Sequence, residues 1–155
     1  MSIITRAAIW IGSWPWLPPY LPKIVKVDGW IQRISRGRID LLWIASLPSV
    51  TFTVVGRKSG EPRTTTVLAA PDGDDWIVAG SYFGGPKSPA WVFNMRAAAS
   101  GTLRVKGVDV PMTATELSGE DRARAWDCLL GVWPNFTLYE QRTDRTIPLF
   151  RLSPS

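Results

Sequence analysis

The sequence predicts an α+β fold with about six mainly antiparallel strands and three or four short helices. Short runs rich in β-branched and aromatic residues alternate with Gly and Pro turn signals, which is typical of strands joined by tight connections. Other segments carry apolar residues three and four positions apart, a spacing that predicts amphipathic helices. The chain has 155 residues, enough for one domain but hardly for two, because domains usually contain about 100–150 residues.

Residues 1–45 form a basic arm rich in Trp and Pro, with an amphipathic helix predicted over residues 23–37. Five of the nine tryptophans fall within the first 43 residues, and the first 63 residues carry nine Lys and Arg against three acids. Two interpretations of the apolar helix face stay open. It packs on a sheet, or it lies on an anionic membrane surface, where tryptophans and cations act together.

The rest of the chain alternates predicted strands with turns. The predicted strands cover residues 50–55, 65–70, 76–81, 101–106, 108–117 and 147–152. The turn signals Ser59-Gly60 and Pro62 make the first two strands a hairpin, and Gly107 joins the fourth strand to the fifth. Pro148 favours the beginning or the edge of the last strand.

Helices are predicted between these strands. Ser88 is the expected N-cap and Pro89 the first residue of a short helix that ends at Ala99. A second helix follows Ser118, and its lone cysteine, Cys128, is expected to be a small buried hydrophobe. After this helix come three aromatic residues spaced by three, which share a face if the segment is helical. They are Trp133, Phe136 and Tyr139.

Composition excludes several classes of function. The sequence has no histidine and one cysteine, so it excludes disulfides, the usual zinc sites and every His-based catalytic triad, and no metal is expected. The net charge of +5 is not accompanied by a nucleic-acid-binding motif, so nucleic acid is not an expected partner. No apolar run reaches the roughly 18–20 residues of a membrane-spanning helix, and no secretory signal is recognised. A cytoplasmic protein is therefore expected, with peripheral contact to the inner face of the cell membrane left open.

The predicted hairpin at residues 56–66 concentrates cations and hydroxyl groups. Arg57, Lys58 and Arg63 lie near its tip, where guanidinium and ammonium groups can bind phosphate or carboxylate oxygens. The alternative interpretation is a solvated basic turn. The loop after the third strand contains Gly84-Gly85 and leads into a helix N-terminus, which favours close approach to a flat or anionic ligand. No Rossmann or P-loop motif accompanies it.

Three motifs in order resemble the deazaflavin-dependent nitroreductase family, the coenzyme F420-dependent oxidoreductases of split β-barrel fold. They are Gly56-Arg57-Lys58-Ser59-Gly60 with Pro62-Arg63-Thr64-Thr65, then Ser81 to Asn94 with its Gly-Gly and Trp, and finally Thr143-Asp144-Arg145-Thr146-Ile147-Pro148. The resemblance covers about residues 50–152. It implies that residues 46–155 form a split β-barrel (FMN-binding split-barrel-like) that binds reduced F420. The implied reaction is hydride transfer to a quinone, a nitroaromatic compound or a conjugated enone or lactone.

The same resemblance implies roles for individual residues. Lys58 and Arg63 would bind the anionic chain of the coenzyme with help from Thr65, and Arg57 would be peripheral or structural. Ser81 and Tyr139 would hydrogen-bond the acceptor oxygen as the catalytic pair, and Trp133 and Phe136 would be walls of the acceptor site. The complete set of expected cofactor-binding residues is Arg57, Lys58, Arg63, Thr65, Gly80, Ser81, Gly84, Gly85, Lys87, Trp91 and Asn94.

The sequence also departs from the pattern of that family. Tyrosines stand at the positions of Trp133 and Phe136 in its nitroimidazole-reducing member, a lysine stands at the position of Tyr82, and a proline often replaces Thr66. These differences favour a bulkier and more apolar acceptor such as a quinone. Two other classes stay open: a split barrel that binds FMN, haem or a fatty acid without using F420, and a peripheral membrane-binding module without turnover.

Overall fold

The computed structural model describes residues 2–34 and 46–155, and within them six antiparallel strands close into a barrel. Around the barrel the order is β1-β2-β3-β6-β5-β4. The strands are β1 (Ser49–Val55), β2 (Pro62–Asp72), β3 (Asp75–Ala79), β4 (Ser100–Val105), β5 (Val108–Glu116) and β6 (Leu149–Pro154). The predicted α+β class and the six antiparallel strands are confirmed. The last strand was predicted to begin at residue 147, and it begins at Leu149, directly after Pro148.

The hairpin of β1 and β2 sets the register of the barrel wall. The amide of Gly56 donates to the carbonyl of Glu61, and the amide of Gly60 donates back to the carbonyl of Gly56, each at 2.8 Å. Gly60 has a positive φ of 70°, a conformation that glycine adopts without steric cost. Phe52 lies opposite Thr65 in this register, so both side chains point to the same face of the sheet.

Five α-helices surround the barrel in the described residues, one or two more than predicted. They are α1 (Ile3–Gly12), α2 (Leu21–Ile34), α3 (Ala90–Ala98), α4 (Gly119–Val132) and α5 (Phe136–Gln141). Helix α1 was not predicted. The amphipathic helix predicted over residues 23–37 is α2, and the last three of those positions, with Trp43, lie outside the described residues.

Two local predictions were wrong. Ser88 does not cap α3, because Pro89 holds the N-cap position and the Ser88 hydroxyl accepts a hydrogen bond from Arg145 instead. Cys128 is exposed and does not belong to the core. Helix α4 turns Ala125 and Leu129 inward, four residues apart, and Cys128 lies off that buried stripe.

Two apolar cores lie on opposite faces of the sheet. One fills the barrel around Phe52, Leu103 and Phe150, where Trp91 and Val92 of α3 pack. The other lies outside the sheet under α4 and α5 and contains Ile77, Leu129, Phe136, Tyr139 and Leu149. Strand β3 serves both, since Ile77 and Val78 are both fully buried and neighbouring residues of a strand point to opposite faces.

The N-terminal arm docks on the second core through the end of α1. Ala8 and Ile9 pack against that core, and the side-chain amide of Asn135 donates to the carbonyl of Ile9. Arg142 donates to the carbonyl of Ser13 at 2.8 Å. A β-carbon at Gly12 would lie 2.6 Å from the Trp133 ring, so glycine permits this close approach. No helix in the described parts of the chain is long and apolar enough to cross a bilayer.

Candidate active site

A cavity of about 380 Å³ lies where β2, the loop after β3, α2 and α5 converge. Six of the sequence-predicted site residues line it, namely Thr65, Ser81, Trp91, Trp133, Phe136 and Tyr139. Lining residues without a predicted cofactor or substrate role are Ile24, Asp28, Leu47, Thr66, Val67, Leu68, Ala79, Tyr82, Phe83 and Pro89. Most of these side chains are apolar or aromatic, which is usual for a site that takes a flat organic ligand.

Aromatic contacts fix the walls of this cavity. The ring centroids of Phe52 and Trp91 are 5.4 Å apart in an edge-to-face arrangement. Phe83 lies 5.5 Å from Tyr139, and Tyr139 lies 5.9 Å from Phe136. Such pairs hold rings in one orientation, so the cavity presents fixed apolar surfaces.

Tyr139 carries the most constrained hydroxyl of the cavity. It accepts a hydrogen bond from the indole N–H of Trp133 at 3.0 Å and donates a long one, 3.4 Å, to the carbonyl of Gly12. Burial raises the pKa of the Tyr139 hydroxyl, and hydrogen bonding from Trp133 and the charge of Arg142 partly offset the shift. The group is therefore protonated at neutral pH and acts as a hydrogen-bond donor. Ser81 is also buried, and its hydroxyl belongs to the lining together with those of Thr65, Thr66 and Tyr82.

The basic hairpin extends from the same strand that lines the cavity. Arg57, Lys58 and Arg63 are exposed. Arg63 precedes Thr65 by two residues in β2, so both point to one face and lie about 7 Å apart along the strand. Ser59 orients Arg63 by accepting a hydrogen bond from its guanidinium at 3.2 Å. The hairpin thus presents positive charge next to an apolar cavity.

Helix α3 links this hairpin to the cavity. The side-chain carbonyl of Asn94 accepts a hydrogen bond from the backbone N–H of Arg57 at 3.2 Å, and the Arg57 guanidinium lies 5.1 Å from the Phe93 ring centre. Trp91 lies one turn earlier on the helix and lines the cavity. Asn94 is therefore placed to hold the base of the hairpin, and it is not among the lining residues.

The loop after β3 supplies one wall in an unusual conformation. Tyr82, Phe83 and Gly84 have successive positive φ values of 44°, 55° and 78°. A β-carbon at Gly80 would lie 2.5 Å from Val92, and one at Gly84 would lie 2.6 Å from the carbonyl oxygen of Tyr139. These glycines allow close packing of the loop on α3 and α5. Four predicted residues of this segment, Gly80, Gly84, Gly85 and Lys87, do not line the cavity, and Lys87 is exposed.

Among the residues at this site that sequence reasoning missed, three are informative. Ile24 and Asp28 line the cavity from α2, and their spacing of four along a helix was the available signal. Arg145 belongs to a motif already noted, and its guanidinium donates to the backbone carbonyls of Gly80, Ser81 and Gly85 and to the Ser88 hydroxyl. No sequence pattern indicates these partners, which lie 57 to 65 positions away.

The arrangement fits a coenzyme that joins a flat heteroaromatic ring to an anionic chain. Apolar aromatic walls around Trp91 and Phe83 suit the ring, and the hydroxyls of Thr65 and Ser81 can hydrogen-bond its polar edge or a nearby phosphate. The three cations of the hairpin suit phosphate and carboxylate groups.

Comparison with known proteins gives consistent matches. The family model described as F420H(2)-dependent quinone reductase matches residues 25–154. An F420H(2)-dependent quinone reductase of Mycobacterium tuberculosis is 31% identical over 134 residues, which cover 84% of this chain and 90% of that protein.

Solved structures agree with these matches. The structure of an F420-H2 dependent reductase, FDR-A, superposes with a TM-score of 0.63 at 33% identity and covers 68% of this chain and 94% of that one. A heme binding protein from Mycobacterium smegmatis has a TM-score of 0.53 at 13% identity, covering 72% of this chain and 48% of that one, which is a likeness of fold alone. The closed barrel therefore has the split-barrel fold of the reductase structures.

Proposed function

Because the chain belongs to the F420H(2)-dependent quinone reductase family, we propose that it transfers a hydride from reduced coenzyme F420 to a quinone. The protein is an F420H2-dependent reductase, and reduced F420 is its cofactor. The observation that carries the proposal is the position of an apolar, aromatic cavity on the same strand, β2, as a cationic hairpin.

The residues divide between the two parts of the coenzyme. Lys58 and Arg63 bind the phosphate and the glutamate chain, with the Thr65 hydroxyl next to them. Trp91 and Ser81 line the ring site, and the glycines at positions 80, 84 and 85 set the path of the loop that carries Ser81 without lining the cavity themselves. When bound, the reduced deazaflavin supplies a hydride equivalent, and the protein supplies orientation and hydrogen bonds. Lys87 and Arg57 contribute positive charge from the periphery.

The proposed acceptor is a quinone because the rest of the cavity is mostly apolar, with Asp28, Thr66 and Tyr82 as its polar lining residues. Trp133 and Phe136 provide flat walls, and Tyr139 and Ser81 hydrogen-bond the quinone oxygen on which negative charge develops. Without substrate the Tyr139 hydroxyl donates a long, weak hydrogen bond of 3.4 Å to the carbonyl of Gly12. When the quinone binds, the hydroxyl donates to the quinone oxygen instead. Nitroaromatic compounds and conjugated enones are smaller or more polar acceptors and fit these walls less well.

A turnover experiment tests this proposal. The purified protein is supplied with reduced F420 and, in separate reactions, a menaquinone analogue, a nitroaromatic compound and a cyclic enone. We expect the highest kcat/KM for the quinone. A quinone rate no higher than the reaction without protein would contradict the proposed acceptor while leaving the coenzyme assignment open to a binding measurement.

A double substitution tests the anionic part of the site. Lys58→Ala with Arg63→Ala removes two charge-assisted hydrogen bonds, each worth about 1–3 kcal/mol, so coenzyme affinity should fall by at least about 30-fold. Lys106→Ala is a control that removes a cation from the β4–β5 turn, far along the chain from the hairpin. Equal affinity in the wild type and the double variant would contradict the role of the hairpin.

We further propose that the arm places the enzyme on an anionic membrane surface, where a lipid-soluble quinone is found. Several large apolar side chains of the arm are exposed, among them Ile3 at 85%, Trp10 at 63% and Trp30 at 64%. Lys23 and Lys26 are also exposed in α2, which combines apolar anchoring with attraction to anionic lipid.

Vesicle flotation tests this membrane contact. We expect the wild type to float with vesicles of anionic phospholipid and to be released by Trp10→Ser combined with Trp30→Ser. Val108→Ser is the matched control, because Val108 is 62% exposed but lies in the barrel, outside the arm. Absence of flotation, or an equal loss in the control, would contradict the proposal.

A further inference from the structure

Arg145 is the side chain that joins the segment before β6 to the loop that lines the cavity. Its Nη2 atom donates to the carbonyl of Ser81 at 2.7 Å and to that of Gly80 at 3.0 Å. Its Nε atom donates to the carbonyl of Gly85 at 3.0 Å, and Nη1 donates to the Ser88 hydroxyl at 3.1 Å. One planar guanidinium therefore holds both ends of the loop at once.

The loop needs such a partner because its backbone is strained. Tyr82 and Phe83 both have positive φ, at 44° and 55°, although neither is a glycine. Left-handed conformations at residues with a β-carbon persist only where the surrounding structure determines them strongly. Arg145 hydrogen-bonds residues on either side of this pair, and these bonds stabilise the left-handed conformation of Tyr82 and Phe83.

The segment that carries Arg145 is itself fixed to the barrel. The carbonyl of Pro148 accepts the amide of Gly80 at 2.9 Å, and Arg122 of α4 donates to the carbonyl of Ile147, also at 2.9 Å. Burial lowers the pKa of Arg145, but arginine stays charged at neutral pH because its ordinary pKa is far above that range. The guanidinium is thus a charged fork on a rigid support.

The held loop forms part of the cavity wall. Ser81, Tyr82 and Phe83 all line the cavity, and the carbonyl of Ser81 has the shortest hydrogen bond to Arg145. A change of the backbone dihedral angles over residues 81–83 that released this carbonyl would also move the Ser81 side chain and the two aromatic residues after it. The position of Arg145 therefore determines the shape of the wall next to the ring site.

We propose that Arg145 is a positioning residue that holds residues 80–88 in the shape that binds the deazaflavin ring. It acts on the ring alone and not on the anionic chain, which belongs to the basic hairpin. This inference rests on the proposed function, since it assigns the ring of F420 to the cavity. Lysine cannot replace the arginine, because its single ammonium nitrogen cannot reach the four acceptors that the three guanidinium nitrogens contact.

Two coenzyme forms separate the ring site from the chain site. Dissociation constants are measured for whole F420 and for its deazaflavin–ribitol fragment, which lacks the phosphate and the glutamates. Arg145→Lys and Arg145→Gln should weaken both ligands by the same factor, about tenfold or more. Lys58→Ala with Arg63→Ala should weaken whole F420 and leave the fragment unchanged. Arg104→Lys is the matched control, because it alters a guanidinium that donates to Asp109 in the β4–β5 hairpin, away from the cavity and from the support of Arg145, and it should change neither constant.

Hydrogen exchange measures the loop without any ligand. Amides of residues 82–85 should exchange faster in both Arg145 variants than in the wild type, and the Arg104→Lys control should match the wild type there. Folded variants with wild-type affinity for the fragment, or with wild-type exchange in the loop, would overturn the inference. Failure of the wild type to bind either coenzyme form would instead overturn the proposed function and the ring assignment with it, whereas the exchange result would still decide whether Arg145 holds the loop.

Discussion

Gly84→Ala is the substitution whose cost the structure specifies most closely. Gly84 has a φ of 78°, and a β-carbon there would lie 2.6 Å from the carbonyl oxygen of Tyr139 and 2.8 Å from the β-carbon of Arg142. The left-handed backbone costs an alanine about 1 kcal/mol, and forcing a methyl group into packed backbone costs about 1–3 kcal/mol more. We therefore expect the free energy of unfolding to fall by about 2–4 kcal/mol.

A second glycine separates the two contributions. Gly73 also has a positive φ, 64°, but a β-carbon there meets nothing within 4 Å, so Gly73→Ala should cost only the backbone term of about 1 kcal/mol. Urea unfolding of both variants, followed by tryptophan fluorescence, measures the difference, which should be about 1–3 kcal/mol. Equal losses in the two variants would refute the packing argument and with it the close approach of the loop to α5.

Three further predictions concern the acceptor site, the arm and an ion pair. Tyr139→Phe should lower kcat about tenfold while coenzyme affinity stays nearly intact, because one hydrogen bond to the acceptor is lost; equal losses in both would contradict its role. In Gly12→Ala the new methyl group would lie 2.6 Å from the Trp133 ring if nothing moved, so α1 should shift away from that ring. Limited proteolysis should then cut the arm faster than in the wild type. Glu116→Gln should lower the free energy of unfolding by less than about 1 kcal/mol at neutral pH, since both partners of this ion pair are more than a third exposed. Its bidentate hydrogen bond with Arg96 lowers the pKa of Glu116, so the contribution is present above the ordinary carboxyl pKa and is lost as the pH falls through the folded pKa. Unfolding at neutral pH and at about pH 3 should therefore show the variant and the wild type converging in acid.

The strands were predictable because their signals are local. The β-branched run at residues 50–55 and the turn at Ser59-Gly60 together fix a hairpin, and the structure has β1 and β2 in those places. The position of the last strand was less exact, since it was predicted over residues 147–152 and runs over Leu149–Pro154. Closure of the six strands into a barrel depends on pairing between distant segments, and it followed from the family resemblance.

The cavity was partly predictable from motifs. Ser81, Trp91 and the aromatic residues after α4 lie in it as expected from the order of the motifs, and their roles stay predictions. Arg145 could not be assigned from the sequence, because its acceptors are mostly backbone carbonyls, which carry no residue-specific signal. Ile24 and Asp28 were missed for a similar reason, since only the packing of α2 on the barrel brings that face of the helix to the cavity.

Cys128 shows the limit of composition-based reasoning. A lone cysteine in an apolar helix is usually buried, but burial depends on which face of the helix meets the sheet. Ala125 and Leu129 define that face in α4, and the cysteine is one position away from it. The contact of Gly12 with Trp133 is likewise tertiary. A glycine in an apolar helix does not indicate from the sequence which ring will pack against it.

Fluorescence titration of the purified protein with coenzyme F420, with FMN in parallel, measures whether the cavity and the basic hairpin bind the deazaflavin coenzyme. We expect saturable binding of F420 in the micromolar range or tighter, and no saturable binding of FMN. Binding of FMN in preference to F420, or of neither, would contradict the assignment of the cavity and the basic hairpin to the deazaflavin coenzyme.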